Sequence, residues 1–151
     1  MAMGQGRGEK ITRLPLRRTY FFVIVAFKKG LSTKDIYAVY DQKYQQPVSL
    51  TQVKADVKIC AQFLDEGHLL EATQLFENDL DRAAREKLSQ ISEVLAHWKN
   101  RKVPSLLSGS GSSVFAIFKE KSEALKEARV LSKARDLRVF VVESYNQSLI
   151  A

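Results

Sequence analysis

The sequence has few of the residues that bind metals or form disulfides. It contains one cysteine, Cys60, and two histidines, His68 and His97. A single cysteine cannot form an internal disulfide, which is typical of a reducing compartment, and we expect Cys60 to be a small buried apolar side chain. The sequence therefore favours a cytoplasmic protein, and no metal site is expected in it.

Long apolar stretches are lacking as well. No run of around 18 apolar residues occurs, so no segment is expected to span a membrane. Residues 1–8 have no apolar core and do not resemble a signal peptide. The 151 residues are enough for one domain with its own apolar core, and they contain neither an internal repeat nor a second core. We therefore predict a single domain over residues 1–151 and no membrane partner.

Positive charge is in excess and lies near the start of the chain. The formal net charge is +7. Such a basic face can serve nucleic acid, an anionic small molecule or solubility. No aromatic and basic motif for stacking RNA bases is present, so we expect no nucleic-acid partner. The basic residues of this region, with Glu9 alone against them, are Arg7, Lys10, Arg13, Arg17, Arg18, Lys28 and Lys29.

Apolar patterning predicts the secondary structure. Residues 19–27 are aromatic and β-branched without interruption, which indicates a strand covered on both faces. Ser32 is expected to cap a helix that has Asp35 in its first turn. Ser49 and Gln52 have the spacing of a capping box, which predicts the start of a longer amphipathic helix.

The order of elements predicts the fold class. After the helices come a strand at 103–107, a glycine-serine loop, a strand at 114–118, a helix at 122–135 that buries Leu125, Ala128 and Leu131, and a strand at 137–142. Apart from the helices inserted after the first strand, this order is βαββαβ, the ferredoxin-like split arrangement. We therefore predict an α+β fold with an antiparallel sheet and helices packed on one face.

The loop at 108–113, Ser-Gly-Ser-Gly-Ser-Ser, is the first candidate functional segment. Glycine lacks a Cβ and can adopt positive φ, which leaves backbone amides accessible to an anion, and the serines add hydroxyl donors. Short apolar strands on both sides argue against a flexible linker. The spacing alone leaves a phosphate-facing loop and an ordinary hairpin open. The candidate residues are Ser108, Gly109, Ser110, Gly111 and Ser112.

Four segments together carry a family resemblance. Residues 108–115 resemble the third motif of the superfamily of galactokinase, homoserine kinase, mevalonate kinase and phosphomevalonate kinase, abbreviated GHMP. Within it, Gly-Arg-Gly-Glu at 6–9, Leu-Ser-Thr-Lys-Asp-Ile-Tyr at 31–37 and Asn-Asp-Leu-Asp at 78–81 are similar to segments of the 4-diphosphocytidyl-2-C-methyl-D-erythritol kinases. Their order and separation resemble the C-terminal domain of that family, from about residue 6 to about residue 142 of this chain.

The resemblance implies a kinase that uses ATP with Mg to phosphorylate the 2-hydroxyl of a cytidine diphosphate derivative in non-mevalonate isoprenoid biosynthesis. No cofactor is expected to bind this chain tightly. The loop at 108–112 would lie on the nucleotide-phosphate side, Thr33 near the substrate, and the Tyr37 ring against the cytosine. The alternatives are an ordinary helix residue for Thr33 and an ordinary aromatic for Tyr37. Asn78 and Asp79 are expected to form a structural turn and helix cap, with a direct role at the substrate as the alternative.

The chain also departs from the family. Nothing in it matches the Pro-x-x-x-Gly-Leu-Gly-Ser-Ser phosphate loop, the aspartate base or the lysine of the family's N-terminal domain. We therefore expect a C-terminal, substrate-side fragment without catalytic residues, inactive alone and inclined to self-associate through the face that would pack on the missing domain. The alternatives are a domain of another GHMP kinase and a non-catalytic ferredoxin-like module that binds a small molecule.

Overall fold

The computed structural model describes residues 2–14, 16–45 and 50–144, and for residues 50–55 it describes the backbone alone. The predicted capping box of Ser49 and Gln52 therefore lies outside the described residues. The elements of the described ranges are β1 (Ala2–Gln5), β2 (Lys10–Arg13), β3 (Phe21–Phe27), α1 (Thr33–Lys43), α2 (Leu50–Glu66), α3 (Leu69–Thr73), α4 (Asp81–Lys87), α5 (Ser89–Asn100), β4 (Ser105–Leu107), β5 (Val114–Phe118), α6 (Lys121–Leu131) and β6 (Leu137–Glu143).

Four strands form one antiparallel sheet in the order β4-β5-β3-β6. Strand β3 lies between β5 and β6, and its Val25 lies opposite Val114 of β5 and Val139 of β6. Helices α1 to α5 lie in the chain between β3 and β4, and α6 lies between β5 and β6. This is the split βαβ arrangement with helices inserted after its first strand. The predicted ferredoxin-like α+β fold is confirmed, and strand ends differ from the prediction by at most two residues.

The core of the sheet lies on one face of β3. Val23, Val25 and Phe27 are buried, whereas Phe22 and Ile24 are half-buried. Successive side chains of a strand point to opposite faces, so the first set shares one face. That face is covered by buried residues of α1, α4, α5 and α6. The prediction of helices packed on one face is confirmed.

Helix α6 buries a different stripe from the predicted one. Leu125 is 40% exposed, and the buried residues of the helix are Ala124, Glu127 and Ala128. These three positions have the i, i+3, i+4 spacing of one helix face, and Leu125 lies about 100° around the axis from Ala124. The predicted burial of Leu125 is therefore wrong, and the predicted helix at 122–135 ends earlier, at Leu131.

The buried carboxylate of Glu127 has partners on α5 and at the C-cap of that helix. Its Oε1 lies 2.7 Å from His97 Nε2 and accepts a hydrogen bond of 3.0 Å from Trp98 Nε1. Its Oε2 accepts a hydrogen bond from Arg101. Because an ionised carboxylate is costly to bury without donors, these contacts explain how a charged residue of α6 can be buried beside the end of α5. We call Glu127 and these three partners the Glu127 cluster.

Of the described residues, those within 20–45 and 77–143 form one compact unit, which contains this sheet, and those within 2–19 and 50–76 belong to another. In the second unit, β1 and β2 pair antiparallel, with Ala2 opposite Arg13. Cys60 of α2 is buried as predicted; burial raises the pKa of its thiol, whose Sγ lies 3.8 Å from the Ala72 carbonyl. The single domain over residues 1–151 stays a prediction.

An ion pair joins the segment before β3 to α2 within the second unit. Arg17 donates to Asp65 through its backbone N–H, at 2.6 Å from Oδ1, and through Nε, at 2.9 Å from Oδ2. These hydrogen bonds favour the ionised carboxylate and hold the pKa of Asp65 below its usual value. In the described part of the chain, no helix has the length and apolarity required to cross a membrane.

Candidate functional site

The glycine-serine loop is a hairpin connection with defined backbone hydrogen bonds. Ser108 N donates to Ser113 O at 2.9 Å, and Gly111 N donates to Ser108 O at 3.0 Å. Gly109 and Gly111 have φ of 55° and 84°, the region that favours glycine. The loop therefore joins antiparallel β4 and β5 as a hairpin, and its glycines are required by backbone conformation.

Gly111 is also tightly packed. A Cβ at this position would lie 3.1 Å from Leu31 Cδ1 and 3.3 Å from Leu107 Cδ1. Gly109 has open space around it instead, with nothing within 4 Å of such a Cβ. One glycine thus anchors the loop to apolar side chains, and the other leaves backbone exposed.

The start of α1 contacts the loop. Ser32 caps the helix as predicted, since its hydroxyl accepts from Asp35 N at 3.3 Å. The next residue, Thr33, has its Oγ1 2.9 Å from the Oγ of Ser110. The cap fixes where the helix begins, and so it fixes the position of Thr33. Two residues from separate predicted motifs are thereby brought into hydrogen-bond contact.

Asn78 contacts the loop from the turn before α4. Its Nδ2 donates to Leu107 O and to Gly109 O, both at 2.9 Å, and its Oδ1 accepts from Leu80 N at 3.0 Å. The last of these is an Asx turn, which agrees with the expected structural turn. The expected helix cap is wrong, because Leu80 is the N-cap of α4 and no side chain caps that helix. The two hydrogen bonds that Nδ2 donates were missed by the sequence reasoning, because nothing local in the sequence pairs Asn78 with a loop some 30 residues away.

A cleft of about 570 Å³ opens beside this loop. Ser108 and Gly109 line it on the loop side, and Tyr37 lines it from α1, one helical turn beyond Thr33. Tyr37 is 51% exposed, so about half of its surface is not buried in the core and remains accessible. The remaining lining residues are Tyr40, Glu77, Asn78, Asp79, Leu80, Leu106, Leu107 and Phe115.

The sequence-predicted site residues thus divide into three sets. Tyr37, Ser108 and Gly109 line the cleft directly. Thr33 and Ser110 contact each other beside it. Gly111 and Ser112 are half-buried in the loop and, in the described structure, do not belong to the lining of the cleft. The roles assigned to these seven residues stay predictions.

The cleft is aromatic and acidic in character. Three aromatic residues line it, and its charged lining residues are Glu77 and Asp79, with no lysine or arginine among the described residues that form it. Within the described ranges, no group of three or more histidine, cysteine, aspartate or glutamate side chains is placed to hold a metal ion. The cleft can therefore stack an aromatic ring against a ligand, accept hydrogen bonds through its carboxylates and donate hydrogen bonds from the loop.

Comparison with known sequences identifies relatives over most of the chain. The chain is 30% identical over 153 aligned positions to 4-diphosphocytidyl-2-C-methyl-D-erythritol kinase of Syntrophomonas wolfei, which covers 95% of this chain and 48% of that protein. It is 33% identical over 132 positions to the kinase of the same name of Rhodopseudomonas palustris, with 85% of this chain and 44% of that protein covered. The chain spans about half the length of the curated relatives it matches. No family model matches it.

Comparison with solved structures identifies the same fold. The crystal structure of a 4-(cytidine 5'-diphospho)-2C-methyl-D-erythritol kinase superimposes with a TM-score of 0.69 and 19% identity, over 94% of this chain and 48% of that chain. Homoserine kinase from Cytophaga hutchinsonii superimposes with a TM-score of 0.68 and 17% identity, over 90% of this chain and 44% of that chain. The fold is that of the C-terminal domain of GHMP kinases. Sequence relatives and fold together show that the chain belongs to the GHMP kinase superfamily, in the family of the 4-diphosphocytidyl-2-C-methyl-D-erythritol kinases.

Proposed function

We propose that the chain is the substrate-side part of a kinase that transfers a phosphoryl group from ATP, with Mg, to the 2-hydroxyl of 4-diphosphocytidyl-2-C-methyl-D-erythritol. The single observation that carries this is the cleft, in which Tyr37 and the glycine-serine loop line the same cavity. A half-exposed aromatic ring at a cleft wall can stack on a pyrimidine base, and loop amides and hydroxyls can donate to an anion.

The charges of the cleft favour the nucleoside end of that substrate. Glu77 and Asp79 repel phosphate but can accept hydrogen bonds from hydroxyl or amino groups. We therefore place the base and sugar against Tyr37 and the phosphates toward the loop, where Ser108 and Gly109 are exposed. Thr33 borders the same site through its contact with Ser110.

Phosphoryl transfer needs more than this cleft supplies. Catalysis of this reaction depends on positioning and on charge stabilisation around the transferred group. The chain does not contain the family's phosphate loop or its catalytic base, and loss of a general base alone costs roughly 10²–10⁴ in rate. We therefore propose that the activity requires the part of the longer relatives that this chain does not match.

A nucleotide titration tests the assignment of Tyr37. Cytidine diphosphate is titrated into the wild-type chain and into Tyr37→Ala and Tyr37→Phe, followed by calorimetry. Stacking on a base contributes about 1–3 kcal/mol, so Tyr37→Ala should weaken binding by roughly 5- to 150-fold, and Tyr37→Phe should change it little. Phe140→Ala is the matched control, because Phe140 is 50% exposed on β6 and is not among the cleft residues.

Three outcomes would contradict the proposal. They are equal affinity for cytidine, uridine and adenosine diphosphates, an unchanged affinity in Tyr37→Ala, and selective binding of an amino acid instead, which would favour a regulatory ferredoxin-like module. In a separate assay, the purified chain with ATP, Mg and the methylerythritol substrate is expected to form no phosphorylated product. Product formation would refute the proposed inactivity.

Self-association belongs to the same proposal. Phe140 and Val142 of β6 are 50% and 42% exposed, and as residues two apart in a strand they share one face. Their partners in β3, Ile24 and Phe22, add half-buried apolar surface on that face. A contiguous apolar face of this kind is typical of an interaction surface, so we propose it as the contact for another domain or a second copy of the chain.

A further inference from the structure

We propose that Asn78 is a positioning residue, whose carboxamide holds the loop at 108–113 in the conformation that lines the cleft. The inference rests on the proposed function for the identity of the ligand. The geometry of the loop is independent of that proposed function. It assigns Asn78 a task beyond the structural turn that its local sequence predicts.

The hydrogen bonds of Asn78 define which side chain can fill the position. The amide nitrogen donates to two carbonyl oxygens, of Leu107 and Gly109, and the amide oxygen accepts from Leu80 N. Reversing the amide would set its oxygen against two carbonyl oxygens and its NH₂ group against an N–H group. A carboxylate, which only accepts, would repel both carbonyls. Asparagine satisfies all three contacts, and aspartate of the same shape does not.

The two carbonyls lie at the point where the ordered strand becomes the loop. Leu107 is the last residue of β4 and is buried, whereas Gly109 is exposed and has a positive φ. On the other side of the carboxamide, Leu80 is buried in the core directly before α4. Asn78 therefore connects the exposed part of the loop to a segment that the core holds in place.

The second contact to the loop is less specific. Thr33 and Ser110 meet through two hydroxyls, and either can be the donor. A hydroxyl pair adapts by rotation, whereas the carboxamide has its donors in one plane and at fixed angles. Of the two side chains that contact the loop, Asn78 is thus the one that determines its backbone conformation. The hydroxyl of Thr33 adjusts to that conformation.

A loop held in advance costs less to order when a ligand binds. Removing the two donated hydrogen bonds should therefore leave the loop mobile and weaken binding at the cleft. Two hydrogen bonds of ordinary strength stabilise the ordered loop, and when they are removed the ligand must supply part of that stabilisation on binding. The expected result is an affinity loss of about tenfold. The loss should appear without a matching loss of the sheet.

The experiment measures backbone order and ligand affinity in the same variants. Amide order parameters of residues 109–111 are determined by NMR relaxation for the wild type, Asn78→Asp and Asn78→Ala. We expect values near 0.85 in the wild type and below about 0.6 in both variants at neutral pH, with β3 and β5 unchanged. Asn100→Asp, the same chemical change at the exposed end of α5, is the control and should leave the loop ordered.

Acidification supplies a readout that a merely structural role would not give. When the introduced carboxyl is protonated, below about pH 4, it becomes a donor and can restore one of the two hydrogen bonds. Loop order in Asn78→Asp should then recover in part, whereas Asn78→Ala has nothing to protonate and should not recover. Equal behaviour of the two variants across the pH range would overturn the proposal.

Ligand binding separates this inference from the proposed function. If the wild type does not bind cytidine diphosphate, the proposed function fails, and the order parameters still decide whether Asn78 holds the loop. If the wild type binds and Asn78→Asp loses about tenfold in affinity together with loop order, the positioning role is supported. A loop that stays ordered, an affinity that stays unchanged, or a uniform loss of order through the whole chain would each overturn it.

Discussion

Removing the carboxylate of Glu127 tests how a charged residue can stabilise this fold from the inside. Glu127 is 2% exposed and is the acceptor for Trp98, His97 and Arg101. In Glu127→Ala the indole N–H of Trp98, a fully buried side chain, loses its acceptor. A cavity also replaces the carboxylate. In Glu127→Gln the shape and one acceptor oxygen are retained, whereas the charge is lost and an NH₂ donor replaces the second acceptor oxygen.

The magnitude follows from which partners can return to water. Removing one member of a buried charged group costs about 3–5 kcal/mol when its partner stays buried and unpaired. Arg101 is 53% exposed and can be solvated again, so the value for Glu127→Ala should be near the lower limit, about 3 kcal/mol. Glu127→Gln keeps an acceptor for Trp98 and loses charge-assisted hydrogen bonds, so about 1.5 kcal/mol is expected.

The assay is urea unfolding followed by the fluorescence of Trp98, which is the only tryptophan of the chain and lies in the cluster itself. In thermal unfolding, the expected loss of about 3 kcal/mol in the free energy of unfolding of Glu127→Ala corresponds to a decrease in Tm of roughly 6–12 °C. Glu123→Gln, an acidic residue in the exposed first turn of the same helix, should cost less than about 1 kcal/mol. Destabilisation by Glu127→Ala of less than 1 kcal/mol, or a greater loss in Glu127→Gln, would refute the reasoning.

Three further changes test other parts of the structure. Because the pKa of Asp65 is lowered, its stabilisation is present above the unfolded-state pKa and is lost as pH falls toward the folded-state value. Asp65→Asn should therefore flatten the acid side of the stability–pH profile. Gly111→Ala should cost about 1–3 kcal/mol in urea unfolding because of its positive φ and close leucine contacts, whereas Gly30→Ala, which has open space around it, should lie within about 0.5 kcal/mol of the wild type. Phe140→Ser should reduce concentration-dependent self-association in sedimentation velocity, and a wild type that is monomeric at every concentration would contradict the proposed interaction face.

Local signals in the sequence were sufficient for the elements that build the cleft. The cap at Ser32 fixes the start of α1, and the position of Tyr37 follows from the helical period. Glycine at positions 109 and 111 allows positive φ, and both residues adopt it. These features depend on residues only a few positions apart, which is the range over which capping, periodicity and turn chemistry operate.

Contacts between distant segments could not be predicted in the same way. The two carbonyls that Asn78 binds are 29 and 31 residues away, and no periodic pattern connects them. Sequence spacing does not reveal the buried position of Glu127, because burial of a carboxylate depends on donors from another helix. Leu125 is the complementary case, because its apolar side chain predicts burial, whereas the helix face that includes Glu127 is the buried one.

The hydroxyl contact between Thr33 and Ser110 joins residues 77 positions apart, so the site cannot exist in a half-folded chain. Contacts of such long range form only after the intervening loop has been closed at an entropic cost. Any molecule that recognises the assembled cleft would consequently bind the native state alone and shift the folding equilibrium toward it by mass action. A thermal-shift screen of small molecules would thus report on correct assembly of residues 20–45 and 77–143 as well as on affinity.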